Sequence, residues 1–151
     1  MKAKDIMSKE VITVKKDTPI GEIARILIDH HISGVPVVDD DHQLMGIVTE
    51  GDLIHQETAP RLPKVLSVLG AFIYFSGVEQ YKEDFKKLAA TKAEEIMTTD
   101  VATIGEDMDV QDIATIFVHK NINRVPVLRN KKLIGIVSRA DILKTFLQNQ
   151  E

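Results

Sequence analysis

The stretch MGIVTEGDL, from Met45 to Leu53, decides the fold because the chain repeats it as IGIVSRADI, from Ile134 to Ile142. Both stretches pass through Gly-Ile-Val and end in Thr/Ser-x-x-Asp. A β-branched run favours a strand, whereas a hydroxyl residue followed three positions later by an acid favours the start of a helix. The repeated phrase therefore predicts a strand that leads directly into a helix, twice in one chain.

The similarity extends in both directions from this phrase. KAKDIM at residues 2–7 corresponds to KAEEIM at residues 92–97, and ISGVPVV at residues 32–38 corresponds to INRVPVL at residues 122–128. The offset between the copies changes by one residue only within a polar turn, where structural repeats tolerate a gap. The chain is therefore expected to contain two copies of one structural repeat.

Each copy carries the signals of the same elements. A short β-rich run, VITV or VATI, precedes apolar residues at positions i, i+3, i+4, i+7 and i+8, which predict an amphipathic helix. Pro19 suits the first turn of the first such helix, and Asp17 or Thr18 is its expected N-cap. The helical stripes are Ile20, Ile23, Ala24, Leu27 and Ile28, and then Val110, Ile113, Ala114, Phe117 and Val118.

A single copy of this size would have a small core and marginal stability. We therefore expect the copies to pair as an α/β (α+β) fold of two pseudo-symmetric repeats, with their sheets packed face to face. The predicted order in each repeat is strand, helix, strand, strand, helix. The first repeat covers residues 1–55, a middle segment covers residues 56–91, and the second repeat covers residues 92–151.

The middle segment has no counterpart elsewhere in the chain. Its apolar run at residues 65–75 is followed by VEQYKEDFKKLAA at residues 78–90, which predicts an amphipathic helix. Three roles remain open for this segment: extra core packing, a dimerisation surface, or a lid over the clefts of the fold.

Composition excludes several classes of protein. The chain of 151 residues has no cysteine, which excludes disulfides and thiolate metal sites and fits a cytoplasmic location. A net charge of −4 gives no support to nucleic-acid binding. The longest apolar run is roughly half the length of a membrane span. No nucleophile–base set and no histidine pair at ligand spacing stands out, so neither catalysis nor a metal site is expected.

The ordered pattern of strand, helix, proline-containing strand and h-h-G-h-h-[ST]-x-x-D resembles the cystathionine-β-synthase (CBS) domain. Its tandem occurrence resembles a CBS pair, also called a Bateman module. The resemblance implies a regulatory module that binds AMP, ADP, ATP or S-adenosylmethionine between the repeats, forms a homodimer and controls an effector protein. Because the repeats run from Lys2 almost to the last residue, we expect a stand-alone module.

The resemblance also implies roles for the repeated polar residues. Asp52 and Asp141 would each accept hydrogen bonds from a ribose diol, which suits the two oxygens of a carboxylate. Thr49 and Ser138 would help to hold phosphate at a helix N-terminus. The residues themselves favour a simpler alternative, in which each hydroxyl residue and its acid form a capping box. Both roles are compatible in one residue.

The adenine slot implied by the resemblance lies between the early strand and the segment around each proline, and core packing is the alternative for its residues. The residues are Thr13, Val14, Val35 and Pro36 in the first repeat, and Thr103, Ile104, Val125 and Pro126 in the second.

Two arginines distinguish the copies. Arg124 stands where the first repeat has Gly34, and Arg139 stands where it has Glu50. Guanidinium groups suit phosphate, although a solvated surface position is the alternative for both. Net charge is −4 over the first repeat and −1 over the second, so the Ser138 and Asp141 site is predicted to be the better nucleotide site. A ligand-free structural or protein-interaction module is the competing function.

Overall fold

The structure is a computed structural model that describes residues 1–55 and 91–150. The predicted α+β class is confirmed, whereas the predictions for residues 56–90 lie outside the described residues. The helices and strands in chain order are α1 (Ala3–Ile6), α2 (Ile20–Asp29), β1 (Gly34–Val38), β2 (Leu44–Thr49), α3 (Glu50–His55), α4 (Ala93–Ile96), β3 (Ile104–Gly105), α5 (Val110–Lys120), β4 (Arg124–Arg129), β5 (Lys132–Ser138) and α6 (Arg139–Gln148).

The chain divides into two units whose boundaries differ from those of the sequence repeats. The first eight residues belong to the unit that holds the body of the second repeat, and residues 92–98 belong to the unit that holds the body of the first. We call residues 2–8 and 92–98 the leader segments. Unit 1 comprises Met1–Ile12, Asp40–Leu44 and Val101–Glu151, and unit 2 comprises Thr13–Asp39 and Met45–Asp100.

Unit 1 contains a three-stranded sheet in the order β3-β4-β5. The short β3 runs parallel to β4, and β4 runs antiparallel to β5 with Arg124 opposite Ser138. The hairpin turns at Asn130 and Lys131, which have φ of 52° and 68°, as a tight turn between antiparallel strands requires. Its core contains Ala3, Ile104, Ile113, Phe117, Val125, Val127, Val137 and Ile142.

Unit 2 contains β1 paired with β2. The predicted VITV strand is reduced to one parallel bridge between Val14 and Val37, just as the predicted VATI strand is reduced to the two residues of β3. Its buried apolar side chains include Val14, Ile20, Ile23, Leu27, Val35, Val37, Val48 and Ala93.

The leader segments form two short helices, α1 and α4, in addition to the elements predicted from the sequence. In unit 1, the Ala3 amide donates to the Met108 carbonyl at 2.8 Å; in unit 2, the Ala93 amide donates to the Thr18 carbonyl at 2.9 Å. Both alanine side chains are fully buried. Each leader therefore forms part of the core of the unit that holds the other repeat.

Each leader also extends a sheet. Ser8 exchanges both backbone hydrogen bonds with Ile136 of β5, at 2.9 and 3.1 Å, and Thr98 does the same with Ile47 of β2, at 2.9 and 3.0 Å. These bonds satisfy peptide groups that an edge strand would otherwise leave to solvent.

The predicted helical stripes are confirmed at four positions in α2 and wrong at the fifth. Ile20, Ile23, Ala24 and Leu27 are buried, but Ile28 is 51% exposed, and its counterpart Val118 is 78% exposed. The reason is helical geometry, since 3.6 residues per turn places position i+8 about 80° from position i, at the margin of the buried face.

The predicted N-caps of α2 are also wrong. The cap is Pro19, whose extended backbone begins the helix at Ile20 without a side-chain hydrogen bond. Thr18 is engaged elsewhere, because its hydroxyl accepts from the Lys15 amide at 3.0 Å and its carbonyl accepts from the Ala93 amide of the leader.

Two exposed ion pairs in unit 1 flank the turn before α5. Lys4 of the leader contacts Asp107 at 2.8 Å, and Arg129 contacts Glu106. The Lys4 ammonium donates a hydrogen bond to Asp107 and lowers the pKa of that carboxyl. A lowered carboxyl pKa stabilises the fold at neutral pH and loses its effect as the pH falls through that pKa. The exposure of both partners keeps the contribution small.

The glycine of the repeated phrase has a steric explanation. A Cβ at Gly135 would overlap the Met7 side chain, and one at Gly46 would come within 2.7 Å of the Thr98 carbonyl oxygen. The leader therefore approaches the sheet more closely than any residue with a side chain allows.

We expect Gly135→Ala to lower the free energy of unfolding by about 1–3 kcal/mol, because overpacking strains a filled core. Met7→Ala in the same chain should recover part of that loss. Gly21→Ala is the control, since nothing lies within 4 Å of its added methyl, and a helical alanine should leave stability unchanged or higher. Urea unfolding measures all four proteins. Equal losses at Gly21 and Gly135 would contradict the steric explanation.

Candidate functional site

The start of α6 in unit 1 is a capping box. Strand β5 ends at Ser138, whose hydroxyl accepts from the Asp141 amide at 3.3 Å. In return, Oδ2 of Asp141 accepts from the Ser138 amide at 2.8 Å and from the Ser138 hydroxyl at 2.9 Å. The capping interpretation is therefore confirmed, and it uses only one of the two carboxylate oxygens.

The start of α3 in unit 2 repeats this arrangement. Oδ2 of Asp52 accepts from the Thr49 amide at 2.9 Å and from the Thr49 hydroxyl at 3.1 Å, while the Thr49 hydroxyl accepts from the Asp52 amide at 3.2 Å. Both aspartates are half-buried. The local geometry of the two phrases is thus the same.

The second carboxylate oxygen distinguishes the two units. Oδ1 of Asp52 accepts from the Thr98 hydroxyl at 3.0 Å. No donor within residues 1–55 and 91–150 reaches Oδ1 of Asp141. No buried side-chain oxygen in those residues lacks a partner, so Oδ1 of Asp141 is not fully buried. An acceptor for a ligand hydroxyl is therefore available in unit 1.

The residues predicted to form an adenine slot are mostly core residues. Val35, Pro36, Val125 and Pro126 are buried, as are Val14 and Ile104, so the packing alternative describes their side chains. Thr13 is half-buried and Thr103 is exposed. These two threonines are the members of the set with side chains that reach the surface.

The peptide groups of Val14 are already engaged within unit 2. Its amide donates to the Pro36 carbonyl at 3.0 Å, and its carbonyl accepts from the Val38 amide at 3.0 Å. A base that hydrogen-bonds here has only the second lone pair of a carbonyl oxygen to use.

The two arginines of unit 1 have different positions. Arg124 opens β4 directly opposite Ser138, and it is half-buried. Arg139 is exposed, and its Nε donates to the Ile122 carbonyl at 3.0 Å. Its Nη2 lies 3.5 Å from Oδ1 of Asn121, just after α5. The register thus places Arg124 beside the capping box, whereas Arg139 is tied to the end of the preceding helix.

In the part of the chain that the structure describes, no three His, Cys, Asp or Glu residues are grouped so that they could hold a metal ion. No helix there is long and apolar enough to span a bilayer.

Comparison with known proteins identifies the family. The CBS domain family matches residues 3–57 and residues 93–148. The chain belongs to the CBS domain family. The uncharacterized protein MJ1426 of Methanocaldococcus jannaschii is 33% identical over 97% of this chain and 92% of its own length. Three other relatives from that organism are longer, and this chain spans 23%, 23% and 31% of their lengths.

Solved CBS pairs share the fold. The CBS pair of protein MJ0100, crystallised with 5′-methylthioadenosine and S-adenosyl-L-methionine, is 31% identical, with a TM-score of 0.70 over 99% of this chain and 98% of that one. The structure of CBSX2 in complex with AMP has a TM-score of 0.76 over 99% and 98% of the two chains, at 21% identity. The latter supports the fold alone.

The capping box of α6 yields a stability prediction. Ser138→Ala should lower the free energy of unfolding by about 1 kcal/mol, because it removes the side-chain cap of α6. Asp141→Ala should cost a similar amount. In a double-mutant cycle the losses should be less than additive, since both residues serve one box. Fully additive losses in urea unfolding would show that they act separately.

Proposed function

We propose that this chain is a regulatory module without catalytic activity that binds an adenosine ligand of the AMP, ADP or ATP type, or S-adenosylmethionine. CBS pairs are generally regulatory modules, and the family membership of this chain supports that role. The MJ0100 pair was crystallised with adenosine compounds, which supports the ligand class.

The observation that carries the proposal is the open Oδ1 of Asp141. The capping box holds the carboxylate in place through Oδ2, and no donor from the described residues reaches Oδ1. A preorganised carboxylate loses little conformational entropy when it accepts a ribose hydroxyl. The same aspartate thus caps α6 and offers a ribose acceptor.

Phosphate binding is proposed for the residues beside this aspartate. The Ser138 hydroxyl and the first amides of α6 form a helix N-terminus, which favours an anion. Arg124 lies opposite Ser138 across the strand pair. Arg139 would contribute with the donors that its contacts with Ile122 and Asn121 leave free. Unit 1 is therefore the proposed nucleotide site.

In each unit the adenine would lie beside the residues that precede the long helix and the strand that contains Pro36 or Pro126. Thr103 and Ile104 are the proposed contacts in unit 1, together with the backbone of Val125 and Pro126. Thr13, Val14, Val35 and Pro36 are their counterparts in unit 2, with Thr49 and Asp52 at the ribose end. Because most of these side chains are buried, the proposed contacts are made by backbone groups and by the two threonines.

Regulation requires that the ligand bind two states of the protein with different affinity. The proposed target is a separate effector protein, and the expected cytoplasmic location remains a prediction. A stable protein that showed no response to any adenosine ligand would favour the alternative, a structural or interaction module.

The exposed apolar face of α6 favours self-association as part of the function. Leu143, Phe146 and Leu147 are 63%, 60% and 71% exposed and lie at positions i, i+3 and i+4 of one face. We propose that a second copy of this chain covers the face, because a two-fold interface uses one patch twice and needs no partner of different chemistry.

The nucleotide site is tested with Asp141→Asn. Asparagine can keep its carbonyl oxygen in the capping box but presents an NH₂ group to the ligand, so AMP binding should weaken by about 1–3 kcal/mol with little change in stability. Asp52→Asn is the matched control and should change affinity less. Calorimetric titrations with AMP, ADP, ATP and S-adenosylmethionine provide the measurement. No binding by the wild type to any of the four would refute the proposal.

Self-association is tested with Leu147→Glu. A charge on the apolar face should convert a dimer to a monomer, because an unpaired charge is costly to bury. Sedimentation velocity measures the mass, and Lys144→Glu, on the same helix, is the control that should remain dimeric. A wild-type monomer at all concentrations would contradict the proposed homodimer.

A further inference from the structure

We propose that Thr98 is an intrachain occupant of the Asp52 carboxylate, and that it makes unit 2 the weaker of the two ribose sites. This inference rests on the proposed function, because it concerns the aspartates that are proposed to hold ribose. The new element is Thr98 itself, a leader residue that lies 46 positions away from Asp52 in the chain.

The hydrogen bonds of Asp52 leave little room for a diol. Oδ2 accepts from the amide and hydroxyl of Thr49, and Oδ1 accepts from the Thr98 hydroxyl at 3.0 Å. A ribose that binds this carboxylate therefore displaces Thr98 or shares Oδ1 with it. The equivalent oxygen of Asp141 meets no donor from the described residues, so this contact distinguishes the two carboxylates.

The leader holds Thr98 firmly in place. Its amide and carbonyl both pair with Ile47, at 2.9 and 3.0 Å, and Gly46 lets its backbone approach closely. Thr98 is also β-branched, which restricts its χ1 rotation. The hydroxyl is thus presented to Asp52 by a fixed backbone and a stiff side chain.

Unit 1 provides the natural comparison. Ser8 occupies the corresponding place in the other leader and pairs with Ile136 in the same way. Its side chain is not β-branched, and no hydrogen bond joins it to Asp141. The unit with serine at this leader position is therefore the one in which no described donor reaches the second carboxylate oxygen.

The test isolates the site of unit 2. In an Asp141→Asn background, Thr98→Val should bind AMP about ten-fold more tightly, because the ribose no longer competes with a hydrogen bond to a charged acceptor. Ser8→Ala in the same background is the matched control and should leave affinity unchanged. Valine keeps the β-branched shape, and thermal unfolding without ligand checks that the leader still pairs with β2.

A second ligand shows that the competition is for the ribose. With 2′,3′-dideoxy-AMP, which lacks the diol, Thr98→Val should give no gain in affinity. An equal gain with both ligands would show a general loosening of the site and would overturn the inference.

Two further outcomes separate this inference from the proposed function. If the wild type binds AMP through Asp141 but Thr98→Val leaves affinity in unit 2 unchanged or weaker, Thr98 supports the carboxylate and the inference fails alone. If no protein in the series, including the wild type, binds AMP, ADP, ATP or S-adenosylmethionine, the proposed function fails and the inference fails with it.

Discussion

The backbone pairing of each leader with the strand before the capping box is the constraint on which the structure depends. It places Met7 against Gly135 and Thr98 against Gly46, so glycine is needed at the second position of the repeated phrase. It also buries one alanine from each leader. A single repeat lacks the leader that its own unit uses, which gives a physical reason for two copies in one chain.

The capping box leaves one aspartate able to serve both the fold and the proposed ligand. A carboxylate has two oxygens, and the geometry of an N-terminal cap engages only one of them. The cap is made within four residues and does not depend on the rest of the unit. In unit 2 the other oxygen accepts from Thr98 of the leader, whereas in unit 1 no donor from the described residues reaches it.

Much of this could be predicted from the sequence because it is local. The repeat, the two capping boxes and four of the five stripe positions in α2 follow from spacing alone. The exchange of leaders could not be predicted, because both edge strands contain Gly-Ile-Val and nothing local tells a leader which of the two to pair with. The contact between Thr98 and Asp52 depends on that exchange, so it was missed as well. The sequence signal for this contact was the presence of a hydroxyl residue, Ser8 or Thr98, at the same position of each leader.

The two units are alike at some positions of the repeat and differ at others. A change at the hydroxyl residue or the aspartate disturbs a local cap, and a side chain at the glycine would overlap the leader, so these positions are alike in both phrases. Two other positions differ: Arg124 stands opposite one cap where Gly34 occupies the other repeat, and Thr98 meets one carboxylate where Ser8 does not meet the other. Arg124 adds a cation to unit 1, while Thr98 occupies an acceptor in unit 2. Both differences support the proposed preference of an anionic ribonucleotide for unit 1, so two similar phrases are compatible with unequal sites.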